Sequence, residues 1–102
     1  MITDEWRRWQ QGGCLEYALA LISLSPGLRF GSLTDSDGAV VHHFAYDDDY
    51  AYDSAGRHVH PYRGVDGTLT PLLADFPSDY DEPDPDLIPD AVAHIIRHGI
   101  LA

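Results

Sequence analysis

Apolar residues recur along this chain at two different periods, and the change of period divides it. Between Cys14 and Leu24, Leu15, Ala18, Leu19 and Ile22 fall at i, i+3, i+4 and i+7, with Cys14, Ala18 and Leu21 on an adjoining stripe. That is the repeat of an α-helix. A helix apolar over most of its circumference belongs at the centre of a fold, and Ser25-Pro26-Gly27 stops it. A shorter helix is expected before it. Thr3 caps a segment opening at Asp4-Glu5, where acids suit the positive end of the helix dipole. Trp6, Trp9 and Gln10 lie on its inner side, and Gly12-Gly13 ends it.

From Leu28 the pattern turns to strands. Leu28 to Leu33, Ala39 to Tyr46 and Asp49 to Ser54 are separated by turn signals at Thr34-Asp35-Ser36-Asp37-Gly38 and at Asp47-Asp48, with Ala55-Gly56 closing the third. Together they read as an antiparallel meander. His58 to Tyr62 adds a short strand that Pro61 keeps at an edge. Thr70-Pro71 starts a short helical turn through Leu72, Leu73 and Phe76. Residues 77–86 are acidic and Pro-rich and read as an exposed loop. A final helix runs from Pro89 to His98 with Val92, Ile95 and Ile96 buried. Arg97 and His98 sit at its negative end, and Gly99 is the stop. The order helix, helix, meander, helix predicts one α+β domain over residues 1–102, a layer of helix on a small antiparallel sheet.

Composition narrows the function classes. A chain of 102 residues supports a single core that buries roughly 60–70% of the unfolded surface. Its one cysteine excludes an internal disulfide and any multi-cysteine zinc site. No apolar run approaches the roughly 18 residues needed to span a bilayer. Met1-Ile2-Thr3-Asp4-Glu5 also lacks the basic start of a secretory signal. The expectation is a cytoplasmic protein that does not engage a membrane. The formal charge is −11, with six arginines, no lysine and 17 acids, 14 of them Asp. So few cations cannot neutralise a run of phosphates, which argues against direct nucleic-acid binding. The charge does suit a basic protein partner.

The most suggestive position for chemistry is Cys14. It follows two glycines and opens the central helix, where the dipole favours a thiolate. Gly12 and Gly13 allow close backbone approach and leave amides to face an oxyanion. With Asp47-Asp48 as a two-residue turn, Tyr46 pairs with Asp49, Phe44 with Ala51 and His42 with Asp53. Directly opposed residues share a face about 5 Å apart. A carboxylate there can fix one nitrogen of the imidazole and leave the other for the thiol, the logic of nucleophile, base and orienter. His43 points to the opposite face and is the rival base. His42 is preferred because its face also carries Val40 and Phe44.

Two stretches, QQGGCLEYALAL (residues 10–21) and VVHHFAYDDDYAYDSAG (residues 40–56), resemble a minimal papain-like cysteine peptidase. The second is similar to the H-x-x-x…YD-x-x-G pattern of small papain-like and transglutaminase-like bacterial proteins. The resemblance implies Cys14 as nucleophile, His42 as general base and Asp53 as orienter. Gln10 or Gln11 resembles the glutamine of the oxyanion hole. It further implies hydrolysis, deamidation or acyl transfer on a protein or small amide substrate, without a cofactor. In 102 residues there is no room for the two-lobed cleft of a full-size peptidase.

Other clusters read more simply. His94 and His98, four apart on the last helix, suit the dipole as surface residues. His58 and His60, with Asp53 or Asp49, lack further ligands for a metal. Asp35-Ser36-Asp37-Gly38 begins like a calcium loop, but the following Phe44 and Ala45 replace the required Glu. Asp47-Asp48-Asp49 reads as a solvated turn. Arg57, His58, Tyr62 and Arg63 form a polar and aromatic group just past the third strand. No metal is expected. The competing reading of the whole chain is an acidic binding protein, an inhibitor, immunity-type partner or nucleic-acid mimic, with structural Cys and His.

Overall fold

The computed structural model describes residues 8, 9, 13–64, 67–73 and 83–101. The first expected helix, with Trp6, Gln10, Gln11 and Gly12, falls almost wholly outside them, as does Phe76. Helix α1 spans Cys14–Leu24, as its apolar repeat predicts. Gly13 sits immediately before it. A Cβ there would lie 2.8 Å from both the Arg8 carbonyl oxygen and the Trp9 ring, so only glycine lets the preceding chain fold back this tightly.

Five strands follow: β1 (Arg29–Thr34), β2 (Val40–Tyr46), β3 (Tyr50–Asp53), β4 (Gly56–Val59) and β5 (Thr70–Leu73). They form one antiparallel sheet in the order β4-β3-β2-β1-β5. The meander is thus present. β5 returns to the far side of β1, pairing Leu33 with Pro71 and Gly31 with Leu73, where a helical turn is expected from Thr70-Pro71. Pro71 is tolerated because β5 is an edge strand. The expected strand at 58–62 lies two residues earlier, and β4 is the other edge.

Helix α2 spans Ile88–His98 and ends on left-handed Gly99, a C-cap that glycine adopts without strain. It buries Ala91, His94 and Ile95, whereas Ile96 is 68% exposed. The sequence reading of Ile96 as core is therefore corrected. The cause is polar: His94 is drawn inward by a 2.7 Å hydrogen bond between its Nδ1 and the Tyr17 hydroxyl of α1. His94 is thus a core residue, not a surface one.

The sheet has apolar clusters of two kinds. One joins Tyr17, Ala20 and Leu21 of α1 to Ala45, Tyr52 and Ile95. The other gathers Leu33, Phe44, Tyr46, Ala51 and Tyr62, supplied by strands and by the segment after β4. This is an α+β fold, helices packed on an antiparallel sheet. No helix among the described residues is long and apolar enough to cross a membrane.

Candidate active site

Asp53 ends β3 and is 2% exposed. An ionised carboxylate offers about four acceptor positions, and four donors meet it here. Oδ2 accepts the His42 Nε2–H at 2.9 Å and the Tyr62 hydroxyl. Oδ1 accepts the His58 Nε2–H at 2.8 Å and the Ala55 backbone N–H at 2.9 Å. Because a carboxylate only accepts, each histidine must carry its proton on Nε2.

The hairpin that brings His42 to Asp53 differs from the expected one. Ala45 pairs with Tyr52 and Tyr46 with Ala51, so the turn residues are Asp48-Asp49 and not Asp47-Asp48. Asp47 is held outside the turn tip because its Oδ1 accepts the N–H groups of Asp49 (2.9 Å) and Tyr50 (2.8 Å). Continuing this register sets Phe44, and not His42, opposite Asp53. A turn displaced by one residue changes the pairing by two, however, and two residues restore the same face. His42 therefore reaches Asp53 diagonally, within range of a long side chain.

His42 and His43 separate as adjacent strand residues must. His43 bonds through Nδ1 to Ser32 Oγ at 2.9 Å and lies 5.1 Å from the Phe30 ring. His42 is 5% exposed. Its Nε2 is committed to Asp53, and its buried Nδ1 has no hydrogen-bond partner among the described residues. The Cys14 thiol is near enough for its charge to raise the pKa of this ring. Cys14 is half-buried and is the first residue of α1. His42 and Asp53 are thus joined by a hydrogen bond, and Cys14 lies on the helix beside them without a hydrogen bond to His42 Nδ1.

The charges reinforce one another. Burial alone would lower the pKa of His42. The hydrogen bond to Asp53, with the charges of Asp53 and Cys14, outweighs it and pushes the ring up to about 9. Burial would raise Asp53, but the bonds from His42, His58 and Tyr62 hold it well below the usual carboxylate range. Burial and the Asp53 charge push the Tyr62 phenol up.

A dependence of stability on pH follows. A raised His42 stabilises the fold fully below its ordinary 6.5, and this is lost as pH rises through about 9. A depressed Asp53 stabilises above its ordinary 3.8 and loses that effect as pH falls. The alkaline loss is on the order of 3 kcal/mol, counted once for the pair. The urea midpoint should therefore decline from pH 6.5 to 9 and again below pH 4, and a midpoint unchanged across the alkaline interval would contradict this assignment.

Other expected participants are placed elsewhere. The Gly13 N–H donates to the Arg8 carbonyl at 2.5 Å, so it does not face an oxyanion. The first-turn amides of α1 lack intrahelical acceptors. Gln10 and Gln11 lie outside the described residues. His60 donates from Nε2 to the Asp47 carbonyl at 2.7 Å, away from His58 and Asp53, which dissolves that candidate metal set. Arg57 lies 4.4 Å over the Tyr50 ring. His58 and Tyr62 are participants that the sequence groups together; it sets His58 beside Asp53 only as a candidate metal ligand and does not link Tyr62 to Asp53. A groove of about 470 Å³ adjoins the site, with Phe44, Tyr46, Tyr62, Pro71 and Leu73 in its lining.

No family model matches the chain, and neither a curated protein nor a solved structure matches it. The functional reading rests on the site itself.

Proposed function

We propose that Cys14, His42 and Asp53 form a catalytic centre that attacks an amide or related acyl carbonyl, the chemistry implied by the papain-like resemblance. The supporting observation is the division of labour on one imidazole. Nε2 of His42 is spent on Asp53, leaving buried Nδ1 without a hydrogen-bond partner on a ring whose pKa the nearby thiol raises. That is the orientation a general base needs.

In this reading the thiol proton is already held on His42 Nδ1, in keeping with a ring that stays charged up to about pH 9, and Cys14 Sγ adds to the carbonyl carbon as the thiolate. The negative charge moves to the carbonyl oxygen, where the first-turn amides of α1 and the helix dipole stabilise it. The tetrahedral adduct then collapses, the C–N bond breaks, and His42 returns the proton to the leaving amine. A thioester on Cys14 remains. Water or a second amine, deprotonated by His42, releases the acyl group and restores the thiol. Water as acceptor gives hydrolysis or deamidation, and an amine gives transfer.

The test uses the single cysteine. Iodoacetamide at pH 6, followed by intact mass, should modify Cys14 at least about tenfold faster than a small free thiol, because nucleophilic cysteines react through their ionised form. Labelling slower than the free thiol would remove the support for a nucleophile.

A further inference from the structure

We propose that Tyr62 and His58 are positioning residues of this centre, acting through Asp53: Tyr62 shares Oδ2 with His42 and so limits how strongly the carboxylate holds the His42 proton, while His58 fixes Oδ1. The inference rests on the reading of Cys14, His42 and Asp53 as a catalytic set and names two residues that set would not otherwise include.

The two are built as a unit. The His58 ring stacks on the Tyr62 ring at 4.1 Å and 11°. Tyr62 is 4% exposed and meets Phe44 edge-on at 5.4 Å, which fixes its hydroxyl direction. The β3–β4 hairpin pairs Asp53 with Gly56 and Ala51 with His58, so His58 shares a face with Asp53 and reaches it diagonally. Each oxygen of Asp53 thus carries one side-chain donor from this unit.

The consequence is electrostatic. A carboxylate shared among several donors offers less to each, and donors that favour its charged form lower its basicity. Without these two donors Asp53 would keep only the Ala55 N–H on Oδ1, and with Oδ2 given to His42 alone it would hold the imidazolium proton too firmly for a base that must return it. Tyr62 moderates this. The groups facing His42 are Cys14 from α1, Asp53 from β3 and the Tyr62 ring, 6.4 Å away, from the segment after β4. His58 stands one step behind Asp53.

The experiment is a nuclear magnetic resonance titration of the His42 ring in the full chain, run beside the pH profile of Cys14 alkylation. Tyr62→Phe removes only the hydroxyl and keeps the ring stack. It should move the His42 titration up by about half a unit or more, and the alkaline limb of the alkylation profile should move with it. His58→Leu should also move it upward. His58→Gln, whose amide N–H reaches the same position, should restore the wild-type value. A Tyr62→Phe titration that is unchanged or moves down would overturn the inference, as would His58→Gln behaving like His58→Leu. A wild-type Cys14 that reacts as an ordinary thiol would instead remove the catalytic reading, with the His42 titration still deciding the role of Tyr62.

Discussion

Asp53→Leu lowers the stability of the fold by about 3–5 kcal/mol at pH 6, the cost of removing one partner from a buried, hydrogen-bonded charge pair. Leu keeps the branched skeleton but is larger than Asp, so no cavity forms and overpacking adds to the loss. Four donors lose their acceptor: the Nε2–H groups of His42 and His58, the Tyr62 hydroxyl and the Ala55 N–H. Two of these residues, His42 and Tyr62, are at most 5% exposed, so water does not replace the lost bonds, and each orphaned buried donor costs about 1–3 kcal/mol. Asp53→Asn should cost less, since its carbonyl still accepts while its amide opposes only part of the cluster. It should nevertheless damage function, because an amide donor facing His42 favours a proton on Nδ1, the nitrogen assigned to the thiol. Urea unfolding at pH 6 compares the two. A loss below about 1 kcal/mol for Asp53→Leu would show that the carboxylate does not organise the site.

Asp53 also shares a local role with three other aspartates of the chain. Asp35 Oδ1 accepts the N–H groups of Asp37 and Ala39, Asp47 those of Asp49 and Tyr50, Asp53 that of Ala55 and Asp84 that of Asp86. A short carboxylate reaches its own backbone two residues on, and the longer Glu side chain is less suited to this turn. Among the described residues, four of the chain's 14 aspartates thus serve as turn residues. This also explains which parts of the fold were legible. Gly13 and Ser25-Pro26 punctuate a clear helical repeat, so α1 is readable to its ends. The hairpin was readable in face but not in register, because which of three consecutive aspartates leads the turn depends on a side-chain bond that carries no pattern. β5 was missed because a four-residue apolar run has no period long enough to separate strand from helix. The burial of His94 in place of Ile96 depends on Tyr17, 77 positions away, and no local rule reports it. His58 was within reach: Ser54-Ala55 as a two-residue turn sets it on the face of Asp53.

His42→Ala slows the alkylation of Cys14 at pH 6 by about 10²-fold or more, within the range general acid–base catalysis contributes. The argument is local. His42 is the ring whose pKa the thiol and Asp53 raise together, so that it stays charged up to about pH 9. Without it the sulfur keeps only the helix dipole, worth roughly 0.3–1 kcal/mol at such a position. That is too little to sustain the rate at pH 6. Raising the pH should recover much of the loss, since hydroxide then removes the proton that His42 no longer takes. His43→Ala is the matched control. Its ring bonds to Ser32 on the opposite face of the strand, so its loss should leave the alkylation rate within about twofold of wild type, a difference of less than 0.5 kcal/mol in barrier. Equal slowing in both variants would mean that general loosening of β2, and not proton transfer, governs the thiol. No slowing in His42→Ala would leave Cys14 as a packed helix-terminal residue and the Asp53 cluster as a structural one.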